Sequence, residues 1–225
     1  MKNTTAILVF LQDESKDASN KRLTPKNNIG ANQWVFSKLN SFVKQVSAAT
    51  QLPVFYSNQL ISKSSKPFGI QLSEAIQLVF EQGFAKVICI GNDCLALNKA
   101  KLLEAAEKLN NSETVLGPDR RGGVYLLGVS KESFEPSTFE NLAWQSGKML
   151  QSYLNQYGNQ QIEWLETLAD IHTFEELKGY QHAKHLIAFL VQTIQQKYSS
   201  FQELSVFIFK LCTNSYHLLR APPSI

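Results

Sequence analysis

Two short segments hold the side chains best suited to chemistry. The first is Gly91-Asn92-Asp93-Cys94, which follows the apolar run Ala-Lys-Val-Ile-Cys-Ile at 85–90. A carboxylate at the carboxyl end of a buried strand can hold Mg²⁺ or Mn²⁺, which prefer oxygen ligands and often bind through one or two carboxylates plus substrate phosphates. The plainer alternative is that Asp93 caps the helix that follows. The second segment runs Gly117-Pro118-Asp119-Arg120-Arg121-Gly122-Gly123-Val124-Tyr125. Paired glycines let a backbone approach a ligand or take positive φ, and the arginines can grip phosphate or carboxylate bidentately. The plainer alternative here is a hairpin turn with solvated arginines. A third candidate is the polar stretch 12–26, with Lys16, Lys21, Arg22 and Lys26 to meet phosphates and Asp13, Glu14 and Asp17 to dilute that case. Polar connections of this length tend to be binding loops or mobile segments, and the plainer alternative is a solvated surface loop.

Several chemistries are excluded. The chain has neither the GxGxxG nor the GxxxxGK[ST] spacing, so the dinucleotide fingerprint and the Walker loop are missing. It has no GxSxG elbow, and His172, His182, His185 and His217 form no HExxH or HxH pattern. Cys89, Cys94 and Cys212 are too scattered for a disulfide framework or a zinc site, which predicts reduced thiols in a cytoplasmic protein. Of 225 residues, 22 are Lys or Arg and 19 Asp or Glu, a net charge of +3. That excess lies beyond residue 180, where Lys184, Lys197, Lys210 and Arg220 face Glu203 alone. The neutral body argues against nucleic-acid binding. No apolar run reaches the ~18 residues of a membrane span.

The elements that must position these groups follow from periodicity. Apolar, β-prone runs at 6–11, 53–56, 85–90, 114–116 and 124–129 alternate with helical patterns at 32–49, 72–80 and 98–109. This is the rhythm of a doubly wound α/β fold with a mainly parallel, two-sided sheet, whose ligands bind beyond the carboxyl ends of the strands. Further on, 143–157 reads as a helix, 161–165 as an edge strand and 173–178 as a short helix. Residues 181–225 carry helix signals only, with stripes Ile187/Leu190/Val191/Ile194 and Leu204/Phe207/Ile208/Leu211. The expected organisation is a domain over 1–180 and a helical extension over 181–225 that packs on the body or forms a homodimer.

Taken together, the Gly91–Cys94 segment, the string Gly117-Pro118 through Gly128, Arg22-Leu23, Ala143-Trp144-Gln145-Ser146 and Asp170-Ile171-His172-Thr173 resemble the nucleotide-diphospho-sugar transferase superfamily. The nearer likeness is to the bacterial glycosyltransferase-A-like family called selenodomain-associated transferase. The resemblance implies a Rossmann-like α/β/α sandwich of glycosyltransferase-A type. It also implies a nucleotide or nucleotide-sugar ligand with Mg²⁺ or Mn²⁺, and transfer of a glycosyl or nucleotidyl group. It implies Asp93 as the metal aspartate and Arg22 as the cation facing the phosphates, the two carried over as catalytic residues. Asn92, Arg121, Gly122, Gly123, Tyr125, Trp144 and His172 would border the substrate. There are departures. Where the family has lysine, arginine and two aspartates, this chain has Asn20, Ala75, Arg121 and His172. With Asp93 as the remaining metal carboxylate, weak or absent metal dependence is expected, and the alternative function is an inactive relative that binds a nucleotide-like ligand or a protein partner.

Overall fold

The computed structural model describes residues 5–12, 14–24, 29–62, 65–158 and 162–179. The chain divides into two compact units, Met1–His172 and Thr173–Ile225. The expected tail helices and their homodimer contact lie outside the described residues.

In chain order the elements are β1 (Thr5–Val9), α1 (Glu14–Asn20), α2 (Ile29–Ala48), β2 (Val54–Tyr56), α3 (Ser57–Leu60), α4 (Phe68–Glu81), β3 (Lys86–Ile90), α5 (Lys99–Asn111), β4 (Thr114–Pro118), β5 (Val124–Ser130), α6 (Pro136–Glu140), α7 (Met149–Tyr157), β6 (Ile162–Trp164) and α8 (Phe174–Gly179). One sheet has the order β2-β1-β3-β5-β4-β6. The β1–β2, β1–β3 and β4–β6 pairs are parallel, whereas β5 runs antiparallel to both β3 and β4. The sheet is therefore mainly parallel with one reversed strand.

The central strands β1, β3, β4 and β5 carry apolar residues on both faces, since successive side chains point to opposite sides. Ala6, Leu8, Val87, Cys89, Leu127 and Val129 face Leu72, Ile76 and Val79 of α4, with Phe139, Met149 and Tyr153 of α6 and α7 in the same layer. Ile7, Val9, Ile88, Ile90 and Leu126 face Val43 of α2 and Leu102, Ala105 and Leu109 of α5. Two cores flank one sheet, which gives the three-layer α/β/α sandwich.

Two local outcomes differ from the sequence reading, and a third takes one of its alternatives. The stretch 12–26 contains α1, a helix with no apolar stripe, of which Ala18 is buried. The helix expected over 143–157 starts only at Met149, because Gln145 takes φ 56° and 143–148 forms turns. Strands β4 and β5 are joined through 119–123 as a hairpin, since five residues cannot span a parallel crossover. In the second unit, the Thr173 hydroxyl accepts from the Glu176 amide (3.2 Å) while the Glu176 carboxylate accepts from the Thr173 amide (3.0 Å). This capping box starts α8.

Candidate functional site

The β1, β3 and β4 carboxyl ends and the β4–β5 turn share one edge of the sheet, and a cavity of about 750 Å³ opens there. Its wall includes Asn92, Asp93, Arg121, Gly123, Tyr125, Trp144 and His172. Those seven residues of the sequence reading are brought together. Gly122 shapes the turn without lining the cavity. Arg22 is exposed and is not part of the wall.

Asp93 is not a helix cap. The cap of α5 is Asn98, whose side chain accepts from the Lys101 amide at 3.1 Å. The Asp93 carbonyl instead accepts from the Ile171 amide at 2.9 Å, which lays the extended segment 170–172 beside the 91–93 loop. Ile171 points into the core. Its neighbours Asp170 and His172 therefore point the other way, into the cavity. Ligand atoms of Asp93, Asp170 and His172 all lie within 4.8 Å of one another. This corrects the expectation that Asp93 stands as the only carboxylate suited to a metal. Asp170 was visible in the sequence two residues before His172, and the i, i+2 spacing of an extended segment is the signal that pairs them.

The donor set fits a small divalent cation. Two carboxylates and one imidazole are ligands that Mg²⁺ and Mn²⁺ accept. The Asp170 Oδ1 is buried without a hydrogen-bond partner among the described residues, a costly state unless something occupies it. Burial pushes the Asp170 carboxyl up to about 7, helped by the charges of Asp93 and Asp119 and opposed by Lys21 and a hydrogen bond with Cys94. Burial also raises the Cys94 thiol, and nearby Asp170 and Asp93 add to this, so Cys94 stays neutral.

The cation beside Asp93 is Lys21, whose ammonium pairs with the Asp93 Oδ2. Arg22, one residue on, points to solvent. The segment that carries them is pinned by Asn32 of α2, which is almost fully buried. The Asn32 Oδ1 accepts from the Leu23 amide (2.8 Å), while its Nδ2 donates to the Ala18 carbonyl (2.7 Å) and the Lys21 carbonyl (2.5 Å). Asn32→Ala should therefore strip three backbone groups of this partner, two of these bonds being buried and one half-buried. We expect a loss of about 2–4 kcal/mol in urea unfolding, at roughly 1 kcal/mol or more per orphaned group. Asn92 is held similarly, donating to the Asn40 Oδ1 at 2.7 Å and to Asp17 at 3.4 Å.

The opposite wall is a braced hairpin. The Asp119 Oδ1 accepts from the amides of Arg121 (2.5 Å) and Gly123 (3.0 Å), and the Asp119 amide donates to the Gly123 carbonyl at 3.0 Å. The string is a hairpin turn, and Arg121 and Gly123 line the cavity. The Tyr125 ring fills the space that Gly117 leaves, where a Cβ would lie 2.5 Å from the ring. The Tyr125 hydroxyl donates to the Glu166 carbonyl (3.1 Å). Trp144 donates from Nε1 to the Phe139 carbonyl at 2.8 Å and packs between Phe68 and Phe139.

Among the described residues no helix is long and apolar enough to cross a membrane. Residues 38–146 match a family described as an uncharacterized protein conserved in bacteria (DUF2064). No curated protein matches the sequence significantly. Among solved structures, a candidate nucleotide-diphospho-sugar transferase from Desulfovibrio desulfuricans G20 is similar over 86% of this chain and 96% of its own, at 16% identity and a TM-score of 0.70. A glycosyltransferase involved in glycosylation of the major capsid of PBCV-1 covers 72% of this chain and 81% of its own (14% identity, TM-score 0.42). Glucosyl-3-phosphoglycerate synthase from Mycobacterium tuberculosis, in complex with Mn²⁺, UDP and glucosyl-3-phosphoglycerate, covers 88% and 80% (11% identity, TM-score 0.40). The first likeness shows that this chain shares the fold of that protein, a three-layer α/β/α sandwich around a mainly parallel sheet.

Proposed function

We propose that the chain is a transferase of an activated sugar or nucleotidyl group, with Mg²⁺ or Mn²⁺ held by Asp93, Asp170 and His172. One observation carries this reading: two carboxylates and an imidazole converge within 4.8 Å at the strand edge where such folds bind ligands, facing a cavity large enough for a nucleotide-sized molecule. A bound divalent ion would supply charge neutralisation for the leaving phosphate.

The chain's own groups complete the reading. Lys21 and Arg121 bring two positive charges to the same cavity, where they can take phosphate oxygens. The half-buried Phe68 and Trp144 form an apolar wall that excludes water from the ligand's other end. Gly123, with no side chain, lets the β4–β5 turn approach the ligand. Asp119 is already engaged by two amides, so its part is to hold the turn.

The test is a thermal-shift panel of nucleoside diphosphates, triphosphates and nucleotide sugars with and without Mn²⁺, followed by a release assay on each stabilising ligand. Ligand at 100 times its Kd should add about 2.7 kcal/mol of stability, with the largest shift when both ion and nucleotide are present. A panel in which no nucleotide stabilises the protein would remove this reading. Stabilisation without turnover would support the inactive, ligand-binding alternative.

A further inference from the structure

Lys21 occupies the carboxylate that the proposed cation needs. Its ammonium sits on the Asp93 Oδ2, and Asp93 belongs to the cluster that would ligate the ion. A metal-bound oxygen lies ~2.1 Å from Mg²⁺, so an ion on Asp93 and an ammonium on the same carboxylate would stand only a few ångströms apart and repel strongly. The chain around Lys21 does not need to move to relieve this. Asn32 fixes its backbone, while a lysine side chain is a flexible four-carbon stem. Both partners are partly solvent-accessible, with side-chain exposures of 26% and 20%, so the ammonium has room to leave. Lys21 also lines the cavity.

We infer that Lys21 and the divalent cation are alternative counter-ions of Asp93, and that the arriving ion sends the Lys21 ammonium into the cavity, where it meets the ligand's phosphates. In the ion-free protein Lys21 balances the Asp93 charge. In the loaded protein the same side chain binds ligand. The inference rests on the cation-site reading above and adds a competition that a metal site alone does not contain.

The consequence is a pair of effects of opposite sign. In the full-length protein, Lys21→Met should bind Mn²⁺ alone about tenfold more tightly than the wild type, because a competing charge is gone. With Mn²⁺ saturating, the same variant should bind inorganic pyrophosphate about tenfold more weakly, the loss of one charge-assisted contact. General loosening of the site would weaken both. Free-Mn²⁺ resonance and calorimetry give the two affinities, and Lys21→Gln is measured beside Lys21→Met so that a folding defect in one does not decide the result. Mn²⁺ affinity that is unchanged or weaker in both variants overturns the exchange. Asp170→Asn separates the two readings. If it abolishes Mn²⁺ binding while the Lys21 variants bind no more tightly, the cation site stands and the exchange falls. If Asp170→Asn binds Mn²⁺ as the wild type does, the ion lies elsewhere and both fall.

Discussion

Asp170→Asn is expected to abolish stabilisation by Mn²⁺ and, in ion-free buffer at pH 8, to make the protein more stable than the wild type. Both effects have one cause. The Asp170 carboxyl is raised to about 7 by burial and by Asp93 and Asp119, whereas an unfolded aspartate titrates near ~3.9. Between those values the folded chain holds a proton that the unfolded chain has released. Folding stability therefore falls as pH rises from about 4 to 7, and the full penalty is present above that window. Asparagine keeps the shape without the charge, which removes a penalty of about 4 kcal/mol at pH 8. Below about pH 4 the difference should vanish, because the carboxyl is then neutral in the folded and the unfolded chain alike. The ion acts in the opposite sense. It needs the carboxylate, so its binding releases a proton, and apparent affinity should fall by about tenfold per pH unit below 7. Thermal unfolding at about pH 4, 5, 6, 7 and 8, with and without Mn²⁺, reads all of this. A variant less stable than the wild type at every pH would show that Asp170 is a satisfied structural carboxylate.

How much of this was legible depends on the distance over which each feature is encoded. The sheet was readable because strands such as Val87–Ile90 are apolar on both faces, and only a two-sided sheet buries such runs. The place of Asp93 was readable because Gly91 ends that strand locally. The direction of β5 was also encoded locally, in the five residues between Pro118 and Val124, which read as a hairpin turn in the plainer alternative even though the alternation of strands and helices suggests a parallel sheet. Helix α1 had no apolar period to reveal it. Of the two adjacent cations Lys21 lines the cavity; Lys21 and Arg22 are chemically alike, and which of them turns inward depends on backbone held by Asn32, eleven residues further on. Asp170 belongs to Asp93 through contacts between segments 77 positions apart in the chain, a relation that periodicity cannot express.

Gly122→Ala should be the most damaging small substitution in the β4–β5 turn. Gly122 has φ +83°, a conformation that side chains resist, and a Cβ built there lies well inside contact with the Gly147 carbonyl oxygen. That atom is backbone and cannot rotate away. A Cβ on Gly147 would in turn meet the Arg121 carbonyl at 2.8 Å. The two glycines thus let two turns touch, and the Leu150 amide fixes the contact by donating to the Gly122 carbonyl at 2.9 Å. The turn that carries Arg121 and Gly123 is in this way fastened to the start of α7. A methyl group would have to part them, at an expected cost of about 3 kcal/mol, of which roughly 1–2 is the φ penalty alone. Gly83→Ala is the control, since Gly83 has φ +90° but no atom within 4 Å of its Cβ, leaving only the backbone term. In urea unfolding Gly122→Ala should lose about 1–2 kcal/mol more than Gly83→Ala, and only Gly122→Ala should also weaken pyrophosphate binding. Equal losses in the two variants would show that the turns separate freely and that the close approach does not hold the cavity wall in place.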